Sequence, residues 1–252
     1  MIDRTEEYEK MAAVESQLWW YRNLHQLSLK ALLRFRFNKE SRILDAGCGT
    51  GGLMSFLTQH GYNNISGIDL SPDAVAFCHQ KKLKVVQDNV LNCNKHFEAE
   101  SLDVIISNDV LCYFKEPEQI HLLERYATLL RNGGLLIMNL PALKAFSGIH
   151  DISVGIQHRF NRNDFRKVLT SVPLDLSYHR YWPFLMSPLI YAIRRKQRHA
   201  LKEDNAEIVS DVYLPAAPIN TTLNLITKAE ITLIPPPPFG SSLFVVLHKK
   251  AK

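Results

Sequence analysis

A chain of 252 residues, 46% of them apolar and 22% charged, carries enough apolar side chain for one large core, which excludes a disordered or fibrous polypeptide. Its net charge of +5 is too small to mark a nucleic-acid binder by itself, and its four cysteines, Cys48, Cys78, Cys93 and Cys112, form no CxxC pair or His-Cys cluster, which excludes a disulfide framework and a zinc site. No apolar run is long enough to span a bilayer and the acidic start MIDRTEEYEK lacks a signal-peptide apolar region, so the expected location is the cytoplasm.

Residues 5–37 read as helical, with Leu24, Leu27, Ala31 and Phe35 at helical spacing. The period then changes. Residues 42–45 (RILD) form a short buried-strand pattern, followed by a glycine loop and a helix over 53–60. A turn at 61–64 leads to a second strand, 65–70. Ser71 is a good N-cap and Pro72 suits the first helical position after it. Strands are expected over 83–87, 102–107 and 135–140. An amphipathic helix is expected over 119–130, ending on the C-cap signal RNGG at 131–134. Strands alternating with helices predict right-handed βαβ units and a parallel sheet covered on both faces.

The pattern shifts again toward the end: a helix over 161–172, a strand over 174–182 and a final strand over 242–249. Between the last two lies an expected insertion, about 183–240. It contains most of an apolar stretch interrupted by prolines, YWPFLMSPLIYAI (181–193), and the basic run Arg194, Arg195, Lys196 and Arg198. There are no internal repeats. The expected organisation is one domain, 1–252, with an N-terminal helical cap over about 1–38.

The loop ILDAGCGTGG (43–52) carries the chemistry. Gly47, Gly49 and Gly52 satisfy GxGxxG, while Gly47, Gly49 and Gly51 satisfy GxGxG, and either presents backbone N–H groups and a helix N-terminus to a nucleotide. Asp69, at the end of the second strand, suits a ribose. Asp45, two residues before the first glycine, would repel a pyrophosphate and welcome an ammonium and a sulfonium. The closing helix, strand, insertion and strand suggest an antiparallel hairpin at the edge of a seven-stranded sheet.

On these residues the chain resembles the class I S-adenosylmethionine-dependent methyltransferases from about residue 42 to 249. ILDAGCGTG, GIDLSPDAV, the tetrad 87–90 (QDNV), LDVIISNDVLCYF and LLRNGGLLIMNLP match the family's motifs in order. The resemblance implies an α/β, Rossmann-like, mostly parallel seven-stranded sheet with helices on both faces and an antiparallel C-terminal hairpin. It implies S-adenosyl-L-methionine as cofactor, S-adenosyl-L-homocysteine as product and no metal. Asp45, Gly47, Cys48, Gly49 and Gly51 would form the loop site. Asp69 would hold the ribose, Leu70 would pack on adenine, and Asp88 would bond the adenine amine beside Asn89 and Val90. Asn108 and Asp109 would sit at the mouth of the fourth strand.

Three further stretches are similar to a bacterial subgroup linked to polysaccharide, lipid or natural-product biosynthesis: AAVESQLWWYRNLHQL (12–27), HDISVGIQHRFNRNDFRKVL (150–169) and the segment 219–246. The departures from that subgroup are Gly155-Ile156, His158, Phe160 and Cys112-Tyr113, all where an acceptor would sit. Trp20, with Trp19 and Tyr21, is expected over the cofactor mouth. His150 and His158 are the candidate bases, and Tyr21 and Tyr113 candidates for orienting the acceptor. The expected acceptor is a small molecule, a natural product, lipid or glycan-linked metabolite, methylated at oxygen or nitrogen. Nucleic acid is disfavoured, because no Pro-Pro-aromatic motif follows the fourth strand and no basic stripe is present. Residues 181–193 are expected to line an acceptor pocket or to pack as a buried helical hairpin, with a peripheral contact to anionic lipid through 181–198 as the further reading. A non-catalytic S-adenosylmethionine-binding partner and an NAD(P)-dependent oxidoreductase are the alternative functions.

Overall fold

The computed structural model describes residues 5–202, 210 and 212–250. Residues 1–4 of the expected cap, and 203–209 and 211 of the expected insertion, lie outside the described residues. Seven strands form one sheet: β1 (Ile43–Ala46), β2 (Ile65–Asp69), β3 (Val85–Gln87), β4 (Leu102–Asn108), β5 (Leu130–Pro141), β6 (Leu174–Trp182) and β7 (Ser242–Lys249). Their order is β3-β2-β1-β4-β5-β7-β6. Pairings among β1 to β5 are parallel, and β7 runs antiparallel between β5 and β6. The mostly parallel sheet with an antiparallel C-terminal hairpin is therefore present as expected.

Alternation along the strands divides the core. Leu44, Ile105 and Leu136 face α5 (Glu116–Leu129) and α7 (Arg162–Leu169). Ile43, Ile106 and Ile137 face α2 (Trp19–Arg34), α3 (Gly52–Gln59) and α9 (Ala217–Leu233). The remaining helices are α1 (Thr5–Val14), α4 (Pro72–Gln80), α6 (Ile149–Val154) and α8 (Ser187–Lys202). Ser71 caps α4 as its sequence implies, its hydroxyl accepting the Ala74 N–H at 3.3 Å. No helix among the described residues is long and apolar enough to cross a membrane.

Several expectations need correction. The cap is two helices, because Leu18 is extended (φ −61°, ψ 127°) and breaks the run. The break lets α1 lie over the glycine loop while α2 packs on the sheet. The RNGG segment does not cap α5: Leu130, fully buried, already pairs with Leu102 in the sheet. Residues 131–134 instead bulge from β5 before pairing resumes at Val104–Leu135, with Gly133 at φ +73°. Burial of Leu130 overrides the glycine signal. The expected helix over 161–172 is the shorter α7, capped by Asn161, whose side chain accepts the Asn163 and Asp164 N–H groups at 2.9 Å each. The short α6 was not expected.

The segment before β7 holds two helices. Pro188 lies in the first turn of α8, where a missing N–H costs nothing, so it opens the helix and does not interrupt it. Buried Arg180 on β6 donates from Nη2 to the Glu230 and Ile234 carbonyls, both at 2.8 Å. The Glu230 carboxylate accepts the Phe184 and Leu185 N–H groups ahead of α8, the closest at 2.8 Å. At its other end, α9 is tied to α2: Asn220 Oδ1 accepts the Trp19 N–H, and Asn23 Nδ2 donates to Asn224 Oδ1, both at 2.9 Å.

Replacing Glu230, which has no exposed surface, by Ala removes the acceptor of two part-buried N–H groups. Glu230→Ala is expected to lower unfolding free energy by about 2–4 kcal/mol in a denaturant titration. A loss within error of zero would show that this carboxylate does not pin the two helices.

Candidate active site

The carboxyl ends of β1, β2 and β4 open on a cavity of about 740 Å³ roofed by α1 and α2. The glycine loop forms its floor. Gly47 has φ +79°, and a Cβ there would stand 2.3 Å from Val110 Cγ2, so only glycine permits this approach to the residue following Asp109. Its N–H donates to the Ile68 carbonyl at 2.8 Å. The Gly49 N–H donates to Asp69 Oδ2 at 2.8 Å, and the Ser71 N–H to Asp69 Oδ1 at 3.0 Å. These bonds fix both carboxylate oxygens of Asp69 at the cavity edge.

The segment after α1 locks onto this floor. Glu15 Oε2 accepts the Thr50 hydroxyl at 2.6 Å, and Glu15 is ion-paired with Lys81, which also donates to the Thr50 carbonyl at 2.8 Å. A Cβ on Gly52 would meet Glu15 Oε2 at 2.4 Å, so the fourth glycine of the loop makes room for this strap.

Charge is unevenly balanced here. Asp45 is 3% exposed, and its Oδ2 has no hydrogen-bond partner. Burial, then the nearby Asp69 and Glu15 carboxylates, push its carboxyl up to about 8. Asp69 is also raised by burial, against the bonds from backbone amides. Asn108 Oδ1 at the end of β4 is likewise buried without a partner. The ends of β1 and β4 thus offer two acceptor atoms and a deficit of positive charge.

Beside them, Asp109 adopts φ +56°, a left-handed conformation uncommon for residues other than glycine. Asn139 Nδ2 lies 3.0 Å from each Asp109 carboxylate oxygen, and Asn139 Oδ1 accepts Trp182 Nε1–H at 2.8 Å. An indole nitrogen only donates, so the amide orientation is determined. Burial raises the Asp109 carboxyl to about 7, against the Asn139 bond and the field of Arg159. Trp20 stacks on Trp182 with centroids 5.5 Å apart, and Tyr21 meets Trp20 edge-on at 5.1 Å. Burial pushes the phenols of Tyr21 and Tyr113 upward, with Asp109 adding to both.

Most candidate residues meet in this cavity. Asp45, Gly47, Cys48, Gly49, Asp69 and Leu70 line its nucleotide half with Asn89, Val90, Asn108 and Asp109. Trp20, Tyr21, Tyr113 and His150 line the rest. Three do not contribute to its wall. Gly51 (φ +84°) turns the chain into α3, where a Cβ would meet Leu83 Cδ1 at 2.4 Å. Asp88 accepts from the Asn89 N–H, Asn92 Nδ2 and His96 Nε2 at 2.7–2.8 Å, and the bonds from Asn92 and His96 hold its carboxyl at about 2. His158 lies edge-on to Phe160 at 4.5 Å, with its N–H on the Cys112 carbonyl at 3.1 Å. Asn139 carries no motif of its own, Glu15 is the acid of the stretch AAVESQLWW, and Trp182 lies in the apolar stretch 181–193. The signal for Asn139 was a lone amide inside the apolar run LLIMNL. Among the described residues no group of three or more His, Cys, Asp or Glu side chains could hold a metal ion.

Asp109 should titrate near neutrality in carbon NMR of the Asp carboxyl groups. Asn139→Leu, which removes the bond that lowers it, should move that midpoint higher. An ordinary carboxylate midpoint in the wild type would refute the burial assigned to this site.

Residues 43–134 match the family described as a methyltransferase domain. Phosphoethanolamine N-methyltransferase 1 of Arabidopsis thaliana is 28% identical over 102 residues, 39% of this chain and 20% of that protein. The ribosomal protein L11 methyltransferase of Hydrogenovibrio crunogenus is 28% identical over 134 residues, 51% of this chain and 45% of that protein. The chain therefore aligns with less than half the length of either relative. Among solved structures, the complex between the Haloferax volcanii Trm112 methyltransferase activator and a methyltransferase contains a chain that superposes with a TM-score of 0.63 at 18% identity, covering 97% of this chain and 98% of that one. Residues 43–134 thus match a methyltransferase domain, and the described residues share the fold of the solved methyltransferase chain.

Proposed function

We propose that the protein transfers a methyl group from S-adenosylmethionine to an oxygen or nitrogen of a small-molecule acceptor. The observation that carries this reading is the unpaired buried oxygen of Asp45 beside Asp69 and Glu15. A cationic amino-acid ammonium and sulfonium relieve that charge imbalance, whereas a dinucleotide pyrophosphate would add to it. Asp69 then takes the ribose hydroxyls, and Leu70 and Val90 flank the base. The Asp88 carboxylate, occupied by His96 and Asn92, positions Asn89 and Val90 behind the base.

S-adenosylmethionine, when bound, supplies a methyl group on an electrophilic sulfonium and leaves as S-adenosylhomocysteine. The chain's own task is to align a nucleophile, exclude water and receive the proton lost by the acceptor. Trp19, Trp20 and Tyr21 on α2 exclude water above the site. Asp109 and His150, both in the cavity wall, receive the proton, and Tyr21 and Tyr113 orient the acceptor. His158 falls outside this set. A cavity of about 740 Å³ that holds both reactants suits a small acceptor. The basic run supports the pocket-wall reading of 181–198 over a lipid contact: Arg198 donates to the Ala145 and Ser147 carbonyls at 2.8 and 2.6 Å, and Arg194 to Gln197 at 2.9 Å.

Calorimetry with S-adenosylmethionine and NAD in buffers of different ionisation enthalpy tests the cofactor. In the free protein Asp45 is mostly protonated at pH 7, so a cation bound against it releases up to about one proton, and affinity rises with pH toward about 8. Asp45→Asn should abolish that release and weaken binding at least about tenfold. Relative to the wild type, the same variant should become progressively more stable to heat in the free state as pH rises from 4 to 8, because the wild type must ionise a buried carboxyl of raised pKa over that window. Preference for NAD, or wild-type binding that is independent of pH and undiminished in Asp45→Asn, would refute the proposal. Labelled methyl transfer to a small-molecule fraction of host extract separates catalysis from binding without turnover.

A further inference from the structure

The cavity extends beyond the residues assigned to the cofactor and the proton. Its outer wall is made by two helices from the segment between β6 and β7. Met186, Leu189, Ile190 and Ile193 line it at offsets of three, four and seven residues, one continuous apolar face at the start of α8. Ile219 and Leu223 line it from α9. Leu189 is 56% exposed, Ile193 47% and Ile219 57%. Clustered at the mouth of one cavity, such exposure marks a binding surface; scattered singly it would not.

Both helices are held from other sides. α8 is anchored to residues 145–149 through Arg198 and through Gln197, whose Oε1 accepts the Ile149 N–H at 3.3 Å. α9 is anchored to α2 through Asn220 and Asn224. These bonds hold the two apolar faces in place, so the cleft is formed before anything binds. Its inner end is continuous with the polar residues around Asp109, His150 and Tyr21.

We propose that this cleft seats an apolar chain carried by the acceptor, making the substrate an amphiphile whose nucleophile lies at the inner end and whose chain leaves between α8 and α9. The proposal rests on the methyl-transfer reading of the same cavity. Met186, just ahead of α8, and the three positions on it together span about 10 Å, which sets the length of chain that the cleft covers. A protein or nucleic-acid acceptor would demand polar groups along these walls, and the faces used here carry none before Arg194.

The test is calorimetric titration of the full chain with n-alkanols from butanol to decanol, with and without saturating S-adenosylhomocysteine. Affinity should rise about fourfold for each added methylene and level off once the chain outruns the cleft. Leu189→Asp and Ile219→Asp, both at exposed positions that spare the core, should flatten that dependence and leave S-adenosylhomocysteine affinity unchanged. Equal affinity across the series, or an undiminished dependence in both variants, overturns the proposal. Loss of S-adenosylhomocysteine binding in the wild type would strike the cofactor reading, while the chain-length dependence would still decide the occupant of the cleft.

Discussion

A carboxylate buried with one oxygen unpaired is the constraint around which this structure is arranged. Such a group costs about 1–3 kcal/mol unless a partner arrives, and Asp45 sits among two other carboxylates. The sheet tolerates it because β1 is central, flanked by β2 and β4, with all four of its residues buried. The rigid strand holds the acid where no protein group satisfies it. Under the proposed function, a cation bound there would offset that cost. The glycines serve the same end: Gly47 removes the Cβ that would collide with Val110, keeping the β1 and β4 ends close together.

The second half of the site depends on a chain of contacts crossing four elements. Asp109 on the β4 end holds Asn139 of β5, Asn139 holds the indole of Trp182 on β6, and Trp182 stacks on Trp20 of α2. The Asn139 amide has one chemically allowed orientation, since an indole nitrogen only donates. The network thus couples the position of the roof helix to the carboxylate beneath it. It also explains why a tryptophan pair at the start of α2 has a partner so distant in sequence.

Much of this was legible in the chain. The bounds of β6 and β7 follow from apolar, β-branched and aromatic runs, bounded by Pro173 on one side and Gly240 and Ser241 on the other. The loop residues Asp45, Gly47 and Gly49 and the acid Asp69 could be placed because βαβ order puts them on one edge. What failed was decided by tertiary partners. The Gly133-Gly134 signal lost to the burial of Leu130. Asp88 has a partner that no motif announces: His96, eight residues on, reaches its carboxylate through a short 3-10 helix. His158 resembled a base by proximity to His150, but its backbone is drawn to Cys112 and its ring to Phe160. No periodicity encodes such pairings.

The two halves of the cavity answer to different pressures. The nucleotide half is built from strand ends, where a change of one atom collides with backbone or with buried side chains. The outer half is built from α2, α6, α8 and α9, on helices anchored by hydrogen bonds such as those of Asn220 and Arg198. Side chains there can change size without disturbing the sheet. The relatives reflect that division: the domain match covers residues 43–134 and stops before α6, α8 and α9 begin. Proteins named for phosphoethanolamine and for a ribosomal protein both resemble this chain at 28% identity. A common cofactor floor therefore says little about the acceptor. Acceptor choice has to be read from the chemistry of the helix faces, and here those faces are apolar.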